Sequence, residues 1–109
     1  ERHLRQIRRR YQTRLGLLLE AIYQYWPGSA VPLIPKGGFL CWIELPAGFD
    51  SDRLYRAAQQ AGIGITPGSL FASDGRFSHC IRLNYSTFEA TPYYLQAIQA
   101  LGELIREQL

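Results

Sequence analysis

Residues 80–85 read Cys80-Ile81-Arg82-Leu83-Asn84-Tyr85. Successive side chains of a strand point to opposite faces of a sheet, so this stretch predicts a strand with two different faces. Arg82 and Asn84 share the polar face. Ile81 and Leu83 share the apolar face, which we expect helices to cover. The polar face is left to meet water or another domain.

The helices that would cover this strand lie at both ends of the chain. Apolar residues from Leu4 to Tyr25 recur at intervals of three or four, which predicts one long amphipathic helix ending at Trp26. Thr91 followed by Pro92 predicts the start of a final helix. Between them we predict strands at residues 31–34, 39–45 and 63–66 and a short helix at 51–61. The expected fold is α+β, a small mixed sheet of about three to four strands with the long N- and C-terminal helices covering one face.

The composition is that of one globular domain, because 47% of the 109 residues are hydrophobic and only 19% are charged. We therefore expect residues 1–109 to form a single domain. No apolar run approaches the ~20 residues of a membrane span and no signal-peptide pattern is present, which predicts a soluble, cytoplasmic protein. The chain contains no methionine, even at position 1, which suggests a domain cut from a longer protein.

The net charge of +3 is concentrated in the first helix. Residues 1–14 contain six arginines and one acidic residue, whereas the remaining residues contain six basic and eight acidic groups. The arginines lie between the apolar positions of the helix, which favours a solvated face whose arginine stems cover neighbouring apolar surface. A contact with a nucleic acid or a protein partner is the alternative.

Residues that commonly carry catalysis or bind metals are scarce. The only cysteines, Cys41 and Cys80, and the only histidines, His3 and His79, lack metal-ligand spacing, so no metal site is expected. Lys36 is the only lysine and lies in a turn that we expect to be solvated, which argues against covalent catalysis. Nucleophile elbows, phosphate-binding loops and dinucleotide-binding motifs are also missing. We therefore expect no catalytic residue in this chain.

Arg82 is the strongest candidate for a binding residue. A guanidinium on a rigid strand can hold a carboxylate with two parallel hydrogen bonds, although a solvated or structurally paired arginine also fits the pattern. Asn84, on the same face, is a weaker candidate, either for holding Arg82 or for binding a ligand. The turn at residues 35–38 leads into an aromatic strand, and its glycines, Gly37 and Gly38, would let the backbone approach a ligand closely.

Three segments occur in a distinctive order and spacing: residues 35–45 (PKGGFLCWIEL), 64–71 (GITPGSLF) and 80–86 (CIRLNYS). Together they resemble the small C-terminal domain of fold-type I aminotransferases, which depend on pyridoxal phosphate. Residues 8–11 (RRRY) resemble the segment in which the long interdomain helix of that family enters this domain. The pattern most resembles the MocR-type branch of GntR regulators, in which a winged-helix DNA-binding domain precedes an aminotransferase-like domain, and the 2-aminoadipate and aromatic aminotransferases.

The resemblance implies that Arg82 binds the α-carboxylate of an amino acid or 2-oxo acid, with Gly38 near the mouth of the site. In that family the cofactor lysine, the aspartate on the pyridine nitrogen and the phosphate-binding loop belong to the preceding large domain. Pyridoxal phosphate would therefore be held outside this chain. The implied parent is a homodimer without membrane contact, either a regulator that binds DNA through an upstream domain or a true aminotransferase.

Two other classes of protein compete with this interpretation. The arginine-rich helix and residues 36–39, which faintly resemble a core RNA-recognition motif, suggest a nucleic-acid-binding module. That motif needs stacking aromatics where this strand has Cys41 and Ile43, and a strand before the first helix. An interaction or oligomerisation domain is the other alternative. Steep salt dependence of oligonucleotide binding would favour the nucleic-acid module.

Overall fold

A computed structural model describes all 109 residues and confirms the α+β class. The helices are α1 (Arg2–Tyr25), α2 (Ser51–Gln60) and α3 (Pro92–Gln108). The strands are β1 (Val31–Leu33), β2 (Leu40–Glu44), β3 (Thr66–Pro67) and β4 (Cys80–Asn84), and one turn of 3-10 helix, Gly68–Phe71, follows β3. None of the helices combines the length and the apolar character that crossing a membrane would require.

The four strands form one sheet in the order β1-β2-β4-β3, and each neighbouring pair is antiparallel. The sheet is therefore antiparallel throughout, whereas a mixed sheet was predicted from the sequence. β2 and β3 do run in the same direction, but β4 lies between them and pairs with both. Pro32 and Pro67 lie in the two edge strands, which is where a strand tolerates the missing backbone N–H.

β3 begins later than the predicted strand at residues 63–66, because the preceding residues complete the end of α2. Gly62 adopts a positive φ of 77°, a conformation that glycine takes without strain. The next backbone N–H, that of Ile63, donates to the carbonyl oxygen of Ala58 at 2.8 Å. Ile63 thus caps the helix, and the β3–β4 pairing begins only at Thr66.

The helices begin at the residues that the sequence indicated, with one difference in how they are capped. Asp50 precedes α2, and its carboxylate accepts hydrogen bonds from the backbone N–H groups of Asp52 and Arg53 at 3.0 and 3.1 Å. Thr91 precedes α3, but its side chain makes no capping bond. Pro92 supports that helix start because its fixed φ suits the first helical position.

The core lies between one face of the sheet and the helices. Ile81 and Leu83 of β4 are 0% and 5% exposed, which confirms that they point toward the helices as predicted. Buried side chains on the same side come from β2, α1 and α3: Cys41, Ile43, Leu18, Ile22, Ile98, Leu101 and Ile105. Arg82 and Asn84 therefore face away from this core.

The two long helices meet where α1 ends. The indole N–H of Trp26 donates to the carbonyl oxygen of Ile98 in α3 at 2.8 Å. One turn further along α3, Gly102 is buried so closely against α1 that an added Cβ would lie 2.6 Å from the carbonyl oxygen of Tyr25. The opposite end of α1 packs much less, and Leu4 there is 49% exposed.

Candidate functional site

Arg82 lies in the middle of β4, directly opposite Trp42 of β2 on one side and Thr66 of β3 on the other. Directly opposite residues in antiparallel strands share a face, so the side chains of Arg82 and Trp42 emerge together on the side away from the helices. The Arg82 guanidinium carbon lies 4.3 Å from the centroid of the Phe71 ring, a cation–π distance. Arg82 is half-buried as a result of this packing.

The aromatic ring that packs on Arg82 belongs to a loop whose position on this face of the sheet was not predicted from the sequence. Residues 68–79 return across the polar face of the sheet. Phe71 and Phe77 from this segment pack against Trp42, with ring centroids 5.1 and 5.5 Å apart. The face that was expected to stay open is therefore partly covered by the chain's own loop. Period two does indicate that Trp42 lies opposite the core face of β2, but no local pattern connects it with Phe71.

Two close contacts hold this segment in place. An added Cβ on Gly68 would lie 2.7 Å from the carbonyl oxygen of Cys80, so only glycine lets the chain pass so near β4. The hydroxyl of Ser69 donates to the carboxylate of Asp52 in α2 at 2.5 Å. These contacts, two and three residues before Phe71, fix the start of the segment that carries Phe71 over Arg82.

Arg82 has no partner for its charge within the chain. One ion pair joins Arg76 to Asp74, and the Nε2 atom of His79 lies 3.7 Å from a carboxylate oxygen of Glu44; neither contact involves Arg82. The Nε atom of Arg82 is shielded from solvent and makes no hydrogen bond. Buried polar groups almost always have partners, and the unpaired Nε therefore leaves Arg82 able to hydrogen-bond to a group outside this chain.

Asn84 does not hold Arg82. Its side chain is exposed, and its Oδ1 atom accepts a hydrogen bond from the backbone N–H of Ser86 at 2.8 Å. This bond fixes the turn that follows β4. The two residues share a face, as the sequence predicted, but the structure gives Asn84 a local role.

Gly38 lies in the turn before β2 and has a positive φ of 81°. Its carbonyl oxygen accepts a hydrogen bond from the hydroxyl of Tyr85 at 2.8 Å. Burial raises the pKa of Tyr85, and the nearby Cys41 and Tyr11 raise it further, so the phenol remains a donor at neutral pH. The turn and α1 enclose a cleft of about 350 Å³.

Gly38 and Arg82 do not line one cleft within this chain. The cleft beside Gly38 is bounded by α1, the turn and Tyr85, and Arg82 is not part of it. Arg82 pairs with Trp42, four residues after Gly38, which separates the two by roughly 13 Å along the strand direction. A ligand contacting both would have to bridge this distance, or one of them would contact another part of the protein.

The arginine-rich half of α1 is mostly exposed, which fits both a solvated face and a contact with a partner. Arg14 differs from the others, because its Nη1 atom donates to the carbonyl oxygen of Ser86 at 2.6 Å and ties α1 to the turn after β4. The resemblance to an RNA-recognition strand finds no support in β2. Cys41 and Ile43 are 0% exposed against the helices, so they offer no surface for a base to stack on.

Two further sets of side chains are relevant to cofactor and metal binding: the only lysine and a cluster of metal-ligand types. Lys36 is exposed in the turn beside Gly38, lines the cleft there and makes no hydrogen bond or ion pair. At the far end of the sheet, Glu44, His79 and Cys80 place one potential ligand atom each within 4.8 Å of one another. Burial and the Glu44 carboxylate raise the pKa of the Cys80 thiol. Spacing along the chain did not indicate this cluster.

Comparison of the sequence with known proteins gives relatives of two kinds, although no protein-family model matches it. The uncharacterized HTH-type transcriptional regulator YjiR of Escherichia coli is 35% identical over 104 residues, covering 95% of this chain and 22% of YjiR. The 2-aminoadipate transaminase of Thermus thermophilus is 31% identical over 103 residues, covering 94% of this chain and 26% of the enzyme. The chain thus spans about a quarter of the length of these relatives.

Solved structures agree with the sequence relatives. Kynurenine aminotransferase of Pyrococcus horikoshii, in complex with PMP, KYN and KYA, superposes on the whole chain with a TM-score of 0.87 and 30% identity, over 27% of its own length. The α-aminoadipate aminotransferase LysN of Thermus thermophilus, complexed with N-(5'-phosphopyridoxyl)-L-leucine, gives a TM-score of 0.81 and 27% identity. That match covers 92% of this chain and 25% of LysN.

Proposed function

Because this chain is homologous to the small domain of aminotransferases and of MocR-type HTH regulators, we propose that it recognises the α-carboxylate of an amino acid within the effector domain of such a regulator. In this proposal residues 1–109 are one domain of a longer cytoplasmic protein. A large aminotransferase-type domain and a DNA-binding domain precede them, and the protein is a homodimer. Three regulator relatives, YjiR, YdcR and YdfD, at 35%, 32% and 31% identity, support this choice of parent.

The observation that carries the proposal is the unpaired state of Arg82. The side chain is half-buried on a central strand, and it makes no ion pair within the chain. Its Nε atom is shielded and lacks a hydrogen-bond partner. A carboxylate bound edge-on would satisfy Nε and a terminal nitrogen together, and charge-assisted pairs of this kind are among the stronger hydrogen bonds in proteins.

The surroundings of Arg82 favour such a grip. Phe71 stacks on the face of the guanidinium and restricts the orientation of its plane. The edge of the guanidinium, which carries the N–H groups, can still bind an acceptor that lies in that plane. Phe71 also excludes water from one face of the guanidinium, which strengthens its attraction for a carboxylate. The two strands beside β4 hold the arginine in position.

We infer that pyridoxal phosphate is anchored outside this chain, in the parent protein. Its only lysine, Lys36, is exposed in the turn beside Gly38, where nothing buries the amine, so it is unsuited to hold a cofactor through a covalent bond. The relatives support a cofactor in the parent protein, since the LysN structure contains a phosphopyridoxyl group and the kynurenine aminotransferase structure contains PMP. We therefore place the cofactor in the preceding domain and assign this chain no step of its chemistry.

The alternative parent is a true aminotransferase of the 2-aminoadipate or aromatic type. The 31% identity to 2-aminoadipate transaminase favours it, and Arg82 would then bind the carboxylate of a substrate instead of an effector. The two parents differ in turnover. A full-length protein that transfers the amino group of an amino acid to 2-oxoglutarate is an enzyme, whereas binding without transfer identifies a sensor.

The test of carboxylate recognition uses the full-length protein loaded with pyridoxal phosphate and a panel of the common amino acids. Arg82→Ala should weaken the affinity of the best-binding amino acid by at least about tenfold, because charged hydrogen bonds are lost. The visible absorbance of the bound cofactor should stay unchanged. Arg53→Ala removes an exposed arginine of α2 and serves as the matched control, with unchanged affinity. Equal affinities of Arg82→Ala and the unmodified protein would refute the proposal.

A further inference from the structure

We propose that Glu44, His79 and Cys80 form a binding site for a divalent transition-metal ion of the Zn²⁺ type at the end of the sheet remote from Gly38. This site is separate from the proposed carboxylate-binding site at Arg82, and neither proposal depends on the other. It combines a thiol, an imidazole and a carboxylate, the three side-chain types from which protein zinc sites are built.

The strand register brings the three ligands together. Glu44 ends β2 and is directly opposite Cys80, the first residue of β4, so their side chains lie on the same face of the sheet. His79 immediately precedes β4, and its backbone carbonyl accepts a hydrogen bond from the N–H of Leu45 at 3.2 Å. Each ligand is therefore attached to hydrogen-bonded backbone, which gives the cluster a defined geometry.

The distances suit an ion after small side-chain movements. The Nε2 atom of His79 lies 3.7 Å from a carboxylate oxygen of Glu44, and all three ligand atoms lie within 4.8 Å of one another. Bonds of about 2.0–2.3 Å in a tetrahedral arrangement separate neighbouring ligand atoms by roughly 3.3–3.8 Å. A gap as wide as 4.8 Å would have to close by about 1 Å, which rotation of the exposed Glu44 and half-buried His79 side chains can supply.

No competing contact holds the ligand atoms. The side chains of Glu44, His79 and Cys80 make no hydrogen bond to any other residue, and their one polar contact is the Glu44–His79 pair itself. Binding of the ion displaces the proton of the Cys80 thiol to solvent, and the thiolate and carboxylate then balance the two positive charges. His79 coordinates as the neutral imidazole. A fourth position remains for water, because Glu44 is exposed.

The donor set determines the class of ion. A thiolate and an imidazole select Zn²⁺, Co²⁺ and similar ions over Mg²⁺ and Ca²⁺, which prefer ligands that are all oxygen. An ion bound here would link β2 to β4 two residues from the opposed pair Trp42 and Arg82. The site would therefore stiffen the part of the sheet that carries the aromatic cluster.

The experiment uses Co²⁺ as a spectroscopic probe with the full-length protein, freed of any affinity tag and without added amino acid. We expect about one equivalent of Co²⁺ to produce a thiolate-to-metal charge-transfer band and tetrahedral visible bands, and Zn²⁺ to abolish both by displacement. Cys80→Ala should remove the charge-transfer band. Cys41→Ala, at the other cysteine of the chain, is the matched control and should retain it.

Two further variants keep the test decisive if Cys80→Ala fails to fold. Glu44→Gln and His79→Gln change side chains outside the core and should each lower the Co²⁺ affinity by at least about tenfold. Circular dichroism would establish that these variants remain folded. The proposal is overturned if no Zn²⁺-displaceable charge-transfer band forms, or if that band forms with unchanged affinity in the folded Glu44 and His79 variants.

Discussion

The contact between α1 and α3 can be tested with two substitutions of the same kind that should have opposite effects. Gly102 lies in α3, and a Cβ added there would meet the carbonyl oxygen of Tyr25 at 2.6 Å and the ring of Trp26 at 2.9 Å. Gly16 lies in the exposed part of α1, and a Cβ added there would meet nothing within 4 Å. Gly102→Ala and Gly16→Ala thus differ only in what the new methyl group contacts.

The expected magnitudes follow from two opposing effects. Alanine is favoured over glycine inside a helix by about 0.8–1.0 kcal/mol, and this helix propensity stabilises both variants equally. Gly102→Ala must also push the helices apart by several tenths of an ångström, because ordinary contacts of a Cβ begin near 3.4 Å. Overpacking of this kind costs about 1–3 kcal/mol. Trp26 cannot move aside without losing its 2.8 Å hydrogen bond to Ile98.

Urea denaturation of the 109-residue chain measures both free energies of unfolding. Gly16→Ala should be more stable than the unmodified chain, and Gly102→Ala should be less stable than Gly16→Ala by about 1–3 kcal/mol. The helix-propensity term cancels in this difference, so the difference reports the helix–helix contact alone. Equal stability of the two variants would show that α3 does not approach the end of α1 as closely as described.

Three other predictions concern the core and the turn beside Gly38. Leu83→Ala should lower the free energy of unfolding by about 2–5 kcal/mol in the same assay, because Leu83 is 5% exposed on the helix face, and a negligible loss would contradict that face assignment. Burial raises the pKa of Cys41 from 9.0 to about 11, so the unfolded chain releases this proton first and stability should fall as the pH rises from about 9 to 11. This loss of stability should be smaller in Cys41→Ala, and an identical pH dependence in that variant would contradict the raised pKa of Cys41. Tyr85→Phe removes the 2.8 Å hydrogen bond to Gly38 and should cost about 0.5–1.5 kcal/mol of stability, whereas no loss would mean that the turn is held by other contacts.

The sequence predicts those features that depend on residues near one another in the chain. Period two in β4 predicts that Arg82 and Leu83 face opposite sides, and the burial of Leu83 confirms it. Spacing predicts the two long helices, and Thr91 followed by Pro92 predicts the start of α3. The start of β3 was predicted too early, because the backbone of Ile63 completes the C-terminal cap of the preceding helix, a contact that apolar composition does not reveal.

Features that depend on distant residues could not be predicted. The packing of Phe71 on Arg82 requires the loop to return across the sheet, and this depends on the close passage of Gly68 by Cys80. The cluster that includes Glu44 forms because β2 pairs with β4 in one particular register. Local periodicity assigns a side chain to a face of its own strand but does not specify which residues of another strand or loop it contacts.

The central claim is that Arg82 binds the carboxylate of an amino acid. Its most direct test compares the affinity of the full-length protein for its best-binding amino acid with its affinity for the corresponding amine that lacks the carboxylate. We expect the unmodified protein to bind the amino acid at least about tenfold more tightly than the amine, and Arg82→Ala to bind both with similar, weak affinity. An Arg82→Ala protein that still prefers the amino acid to the same extent would contradict the claim.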